Sequence, residues 1–183
     1  MRYIIPLLFA AFCAAGAQSA TLRESLASPD GSLKLVFENG QDGMFWSLSR
    51  KGETLVAPSR LGLTFALFKV RGREIALGEM RIVDKKSRSS DTVWSNGIYR
   101  RGTVRDNYNE LEVVLEEVSN PHRRLGIVFR AYDEGAAFRY VITEQDGVDG
   151  FELLRERTEW RFRGKERTNR DRAQDWSQSC FPT

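Results

Sequence analysis

Between Arg105 and Leu111 the chain reads Arg-Asp-Asn-Tyr-Asn-Glu-Leu. Asn107 and Asn109 carry amide donors and acceptors, Tyr108 a phenol on an apolar ring, and Glu110 a carboxylate. A polyhydroxylated ligand such as a sugar suits that mixture. Its hydroxyls pair with amides and carboxylates, and its apolar face lies on an aromatic platform. The same residues also have a purely local use. Asn107 and Asn109 can shape the entry into a strand while Tyr108 covers the core, and this is the commoner role of such residues.

Other chemistries are poorly served. Acid–base cleavage of a glycosidic bond uses two carboxylates roughly 5–10 Å apart across the bond. The chain holds 25 acids, so their number marks no pair. Glu110, Glu112 and Glu116 fall on one side of an alternating segment, where a solvated face is expected, and no catalytic residue is assigned. Calcium needs six to eight oxygens. Asp30, Asp42, Asp133 and Asp146 each lie near a glycine, none within an EF-hand pattern. They read as turn residues, so no metal ligand is assigned and no cofactor is expected in this chain. A Ser-His-Asp triad would have to use His122, the one histidine, which follows Asn120-Pro121 in an expected solvated turn. Cys13 and Cys180 are the two cysteines. Cys13 lies in a leader segment, and the remaining thiol can close no internal disulfide and has no neighbouring base.

The elements that must position these residues read as strands. Ser28-Pro29-Asp30-Gly31 is a turn, since proline presets one dihedral and glycine supplies a positive one. Leu33, Leu35 and Phe37 then alternate with Lys34, Val36 and Glu38, the period of a half-buried strand. Phe45–Arg50 returns, with Phe45 and Trp46 expected on opposite faces. Pro58-Ser59 is expected to end that stretch before a further strand over Leu61–Phe68, and Lys85–Ser90 is expected to be a loop. Asn109–Val118 alternates, and Leu125–Tyr132 and Ala137–Ile142 form a hairpin about Asp133-Glu134-Gly135. No segment carries a capped helical period. The fold class is therefore all-β, an antiparallel β-sandwich.

The ends differ from this body. Arg2 precedes an apolar run from Tyr3 to Ala15, followed by Ala15-Gly16-Ala17. That is the pattern of a secretory signal peptide over residues 1–17, cut after Ala17 or Ala20. The product is expected in the periplasm or outside the cell, with no membrane association after cleavage. Residues 163–183 form a polar, basic tail rich in arginine, expected to be solvated. The net charge of +3 is too small to argue for nucleic acid, and none is expected as a partner.

Four strings together carry a family resemblance. Ser28–Leu35, Pro58–Leu63, Arg105–Leu111 and Phe129–Tyr140 resemble, in that order, segments of the N-terminal domain of glycoside hydrolase family 97. The resemblance implies a domain over residues 21–162 with a fold similar to the galactose-mutarotase supersandwich, incomplete at its C-terminus. It implies hydrolysis of α-glucosidic or α-galactosidic bonds by the whole enzyme, with calcium in full-length members. The acids for that reaction lie in a (β/α)₈ barrel that follows this domain, here missing in cis or supplied in trans. The chain alone is expected to be inactive. The resemblance ends near Phe162, and the tail is expected to be foreign to the fold, as a frameshift would make it. Contact with an α-linked oligosaccharide would fall to Asn107, Tyr108, Asn109 and Glu110. A free carbohydrate-binding module and a truncated remnant are the alternatives.

Overall fold

The computed structural model describes residues 21–67, 75–95, 97, 102–142, 144–145 and 150–163. The leader, most of the basic tail, Phe68, Asp146, Trp176 and both cysteines lie outside the described residues. Twelve strands are present among them: β1 Leu22–Ala27, β2 Leu33–Gly40, β3 Gly43–Arg50, β4 Glu53–Leu61, β5 Leu63–Leu67, β6 Ile75–Ala76, β7 Met80–Ser95, β8 Thr103–Glu117, β9 Arg124–Ala131, β10 Ala136–Val141, β11 Phe151–Glu156 and β12 Arg161–Phe162. All pair antiparallel, in three sheets ordered β1-β2-β3-β4-β12, β10-β9-β8-β7 and β11-β5-β6. None of the described segments is a helix long and apolar enough to cross a membrane.

The first hairpin turns are built by short side chains and positive dihedrals. Ser28 Oγ donates to Asp30 Oδ1 at 2.6 Å and accepts from the Leu33 N–H at 2.9 Å, while Gly31 takes φ 71°. Between β3 and β4, Lys51 and Gly52 take φ 48° and 84°. That pair of positive values gives a two-residue turn the twist that antiparallel strands need.

The two larger sheets face each other across one core. Leu35, Phe37 and Trp46 of the first sheet meet Leu111, Val113, Leu115, Ile127 and Phe129 of the second. The Phe37 and Phe129 rings approach to 5.4 Å between the layers. Each of these apolar side chains contributes about 1.5–3 kcal/mol through removal from water. The Leu33/Leu35/Phe37 and Leu111/Val113/Leu115 alternations read from the sequence are the inward faces of β2 and β8. Trp46 points inward and is 2% exposed. Phe45 lies under the Arg60 guanidinium instead.

Three expectations need correction. Lys85–Ser90 is not a loop but the middle of β7, paired residue by residue with Val113 to Tyr108 of β8. Its side chains are polar because β7 is an edge strand, so the alternation that marks a half-buried strand is absent. Pro58-Ser59 does not end a strand. It lies within β4 at a register shift, where a bulge accommodates proline's missing N–H. Glu110 and Glu116 are not solvated. They are buried on the outer face of the second sheet, because arginines on both neighbouring strands reach over them.

Candidate functional site

Strand β8 puts Asn107 and Asn109 on one face and Tyr108 and Glu110 on the other, as a period of two requires. The four residues are therefore not brought to a common point. Asn109 is a tie between layers: its amide donates to the Ala27 carbonyl at 2.9 Å, and its Oδ1 accepts from Ser89 Oγ at 2.6 Å. Tyr108 is 5% exposed, with its ring 5.4 Å from Tyr132 and the Arg130 guanidinium 4.2 Å above it.

Glu110 is the centre of a row that crosses three strands. Arg88 on β7 and Arg130 on β9 stand directly opposite it. Arg88 Nε donates to Oε1 at 2.5 Å, and Arg130 Nε to Oε2 at 2.6 Å. Burial pushes the carboxyl up, but the hydrogen bonds from both arginines outweigh it and hold the group below its usual range. A second row repeats the arrangement along the same strand: Arg81 and Arg124 flank Glu116 at 2.6 and 2.9 Å, and their hydrogen bonds lower its pKa. Glu117 is 2% exposed and bound by Arg123 through two bonds of 2.7 Å, with the Gly78 N–H at 3.0 Å. Burial raises its pKa, and these donors lower it further than burial raises it.

Asn107 alone reaches a cleft. The opening, of about 580 Å³, lies where the start of β8 meets the β9–β10 turn, and Thr103, Arg105, Asn107, Tyr132, Asp133 and Glu134 are among its walls. Arg105 is fixed by Asp91 through bonds of 2.7 and 2.6 Å. Asp133 is fixed by the Asp30 N–H at 2.9 Å, and its carbonyl accepts from Arg50. The cleft thus offers a positioned guanidinium, an amide, two carboxylates and the Tyr132 phenol. Arg105 and Asn107 belong to a motif visible in the sequence. The sequence places Tyr132 and Asp133 at a strand end and its turn, and nothing in their local pattern shows that this turn folds over β8.

No group of three or more His, Cys, Asp or Glu among the described residues is placed to hold a metal ion. The oxygens of Glu110, Glu116 and Glu117 are already taken by arginine. The described residues therefore do not fit a calcium site. His122 is an exposed turn residue at φ 60°, its Nδ1 3.0 Å from the Glu117 carbonyl oxygen.

Fold and cleft define an antiparallel β-sandwich domain whose buried acids are neutralised by arginine. Residues 26–179 match the family model described as glycosyl-hydrolase 97 N-terminal, and the chain belongs to that family. The match reaches past Phe162, the expected end of the resemblance. Among solved structures, the fold is similar to a family 97 glycoside hydrolase enzyme from Pseudoalteromonas sp. strain K8, in complexes with panose and with acarbose. Both give a TM-score of 0.67 at 28% identity, over 75% of this chain and 20% of that one. A beta-arabinopyranosidase is similar at TM-score 0.67 and 25% identity, over 76% of this chain and 21% of that one. The chain thus spans about a fifth of the length of the structures it matches.

Proposed function

We propose that this chain is the non-catalytic N-terminal domain of an exported α-glycosidase and contacts α-linked oligosaccharide at the Asn107 cleft. One observation carries the non-catalytic reading. The acids buried among the described residues, Glu110, Glu116 and Glu117, are each bound by arginine, and those hydrogen bonds hold their carboxyls below the ordinary range. A glycosidase's general acid must instead be held protonated by an environment that raises its pKa. The acids for bond cleavage would then come from the remaining four-fifths of a family enzyme, in cis or in trans, and calcium would be bound there. The leader pattern over residues 1–17 supports export to the periplasm or beyond. Sugar contact is supported by the mixed polar walls beside the Tyr132 ring and by the panose and acarbose complexes of the Pseudoalteromonas enzyme.

Two measurements test this. The purified chain should release nothing above blank from a chromogenic α-glucoside; turnover would end the non-catalytic reading. Calorimetric titration with maltooligosaccharides should give saturable heat that Asn107→Ala abolishes. Absence of heat with a natively folded chain would leave a structural role and remove the contact.

A further inference from the structure

A second cavity, of about 360 Å³, lies at the other end of β2 from the Asn107 cleft. The cleft adjoins the β1–β2 turn, through the bond from the Asp30 N–H to Asp133. The cavity lies among the β2–β3 turn, the β4–β5 corner and the start of β7. Asn39, Asp42, Arg60, Thr64, Glu79 and Arg157 are among its polar walls.

Two of these residues are polar and buried without compensation. Asn39 is 4% exposed and Thr64 1%. Asn39 Nδ2 donates to the Met80 carbonyl at 2.7 Å, but its Oδ1 has no partner among the described residues, and neither has Thr64 Oγ1. Buried oxygens left unpaired destabilise a fold, and natural interiors keep few of them. Here both belong to residues that wall the same cavity.

The chemistry of the walls limits what fills it. Asn39 Oδ1 and the carboxylates of Asp42 and Glu79 only accept hydrogen bonds, Arg60 only donates, and the Thr64 hydroxyl does either. Two acids stand against two guanidiniums, so these walls offer no net charge to an ion. A neutral ligand with several hydroxyls meets all of them, since each hydroxyl both donates and accepts. Leu61 and Leu77 add apolar surface that suits the C–H face of a sugar ring. The volume is near the lower end of the roughly 300–1,000 Å³ usual for ligand sites, which suits a single ring better than a chain of them.

We infer that this cavity binds one monosaccharide, at a site separate from the Asn107 cleft and independent of it. The unpaired oxygens are covered in the free chain, so the sugar reaches them as the β2–β3 tip yields. Glycine stands at both ends of that tip, Gly40 and Gly43, the latter with φ 108°. Binding gives Asn39 and Thr64 the partners they lack.

Titration of the ¹⁵N-labelled full chain with D-glucose or with D-galactose should move the amide signals of the wall residues Gly62 and Gly78 saturably. Asn107→Ala should leave those shifts unchanged, so failure here and failure at the cleft are distinguishable. Thr64→Val removes the hydroxyl and nearly keeps the side chain's shape. The dissociation constant should rise roughly tenfold, while the thermal midpoint holds or rises, because the free chain loses no hydrogen bond. Asp42→Ala, on the exposed turn, should weaken binding as well without touching the core. Glycine amides that stay in place at high concentrations of both sugars would overturn the inference. So would shifts whose midpoint is the same in the unsubstituted chain, Thr64→Val and Asp42→Ala, which would place the sugar elsewhere.

Discussion

Two edge strands of this molecule are equally exposed and oppositely finished. From Asp84 to Asp91, β7 is charged or hydroxylated at every position, and its apolar exposures, Val83, Val93 and Trp94, lie towards its ends. The 151–163 edge carries Phe151, Leu153, Leu154, Trp160 and Phe162 into solvent. Lysines and acids along an edge make a further strand costly to dehydrate. On β7 the same charges also work inward, since Arg81 and Arg88 anchor the strand to Glu116 and Glu110. One edge ends a sheet, and the other lacks the features that would end it. Exposure alone therefore says little about an edge; the side chains along it decide whether water is its intended neighbour.

The contrast can be broken or sharpened by substitution. Trp46 joins the core to the 157–163 segment through a 3.3 Å bond from its indole N–H to the Glu159 carbonyl and a 4.7 Å edge contact with Trp160. Trp46→Ala should cost about 3–5 kcal/mol by the usual scale for buried aromatics. It should also abolish hydrogen-exchange protection at Arg161 and Arg163 ahead of β8; equal loss in both regions would show that the edge is held by the whole fold.

Glu110→Ala acts on the other edge. It leaves Arg88 and Arg130 facing each other without their shared acid. Roughly 2–3 kcal/mol should be lost in chemical denaturation, less than for a fully enclosed pair because Arg88 remains largely in water. A loss under 1 kcal/mol would mean that β7 is held by its backbone ladder alone.

Acid should separate the regions next. Glu110, Glu116 and Glu117 have folded-state pKa values below the ordinary 4.5. Their contribution is thus complete well above 4.5 and is lost as pH falls through the lower folded values. The thermal midpoint should hold steady above about pH 5.5 and drop below 4.5, and Glu110→Gln should flatten that drop. A midpoint that rises on acidification would contradict the sign.

The smallest effects fall on the solvent-facing side chains themselves. Leu154→Lys should change stability by no more than about 0.5 kcal/mol yet reduce binding of a hydrophobic dye. Lys86→Ile on β7 should be as mild for stability and should raise dye binding.

How much of this was legible in the chain depended on which way side chains pointed. Leu33, Leu35, Phe37, Leu111, Val113 and Leu115 face one shared core, so their period of two showed directly, as did the β9–β10 hairpin. Lys85–Ser90 was illegible because a polar edge strand lacks that period and resembles a loop in composition. The burial of Glu110 and Glu116 was hidden for a different reason. It depends on Arg81, Arg88, Arg124 and Arg130 arriving from strands whose register no local pattern records. In the candidate site, the Asn107 motif could be read, whereas its meeting with Tyr132 and Asp133 is a product of pairing between β8 and β9.

The position of Trp46 has an optical consequence. Its indole is sealed from water, while the indole it touches, Trp160, is half in solvent. Anything that settles on Trp160 would shift that ring's emission to the blue, while Trp46 stays dark to external quenchers. The two rings touch and so share excitation, while Trp94, also half exposed, emits apart from them on β7.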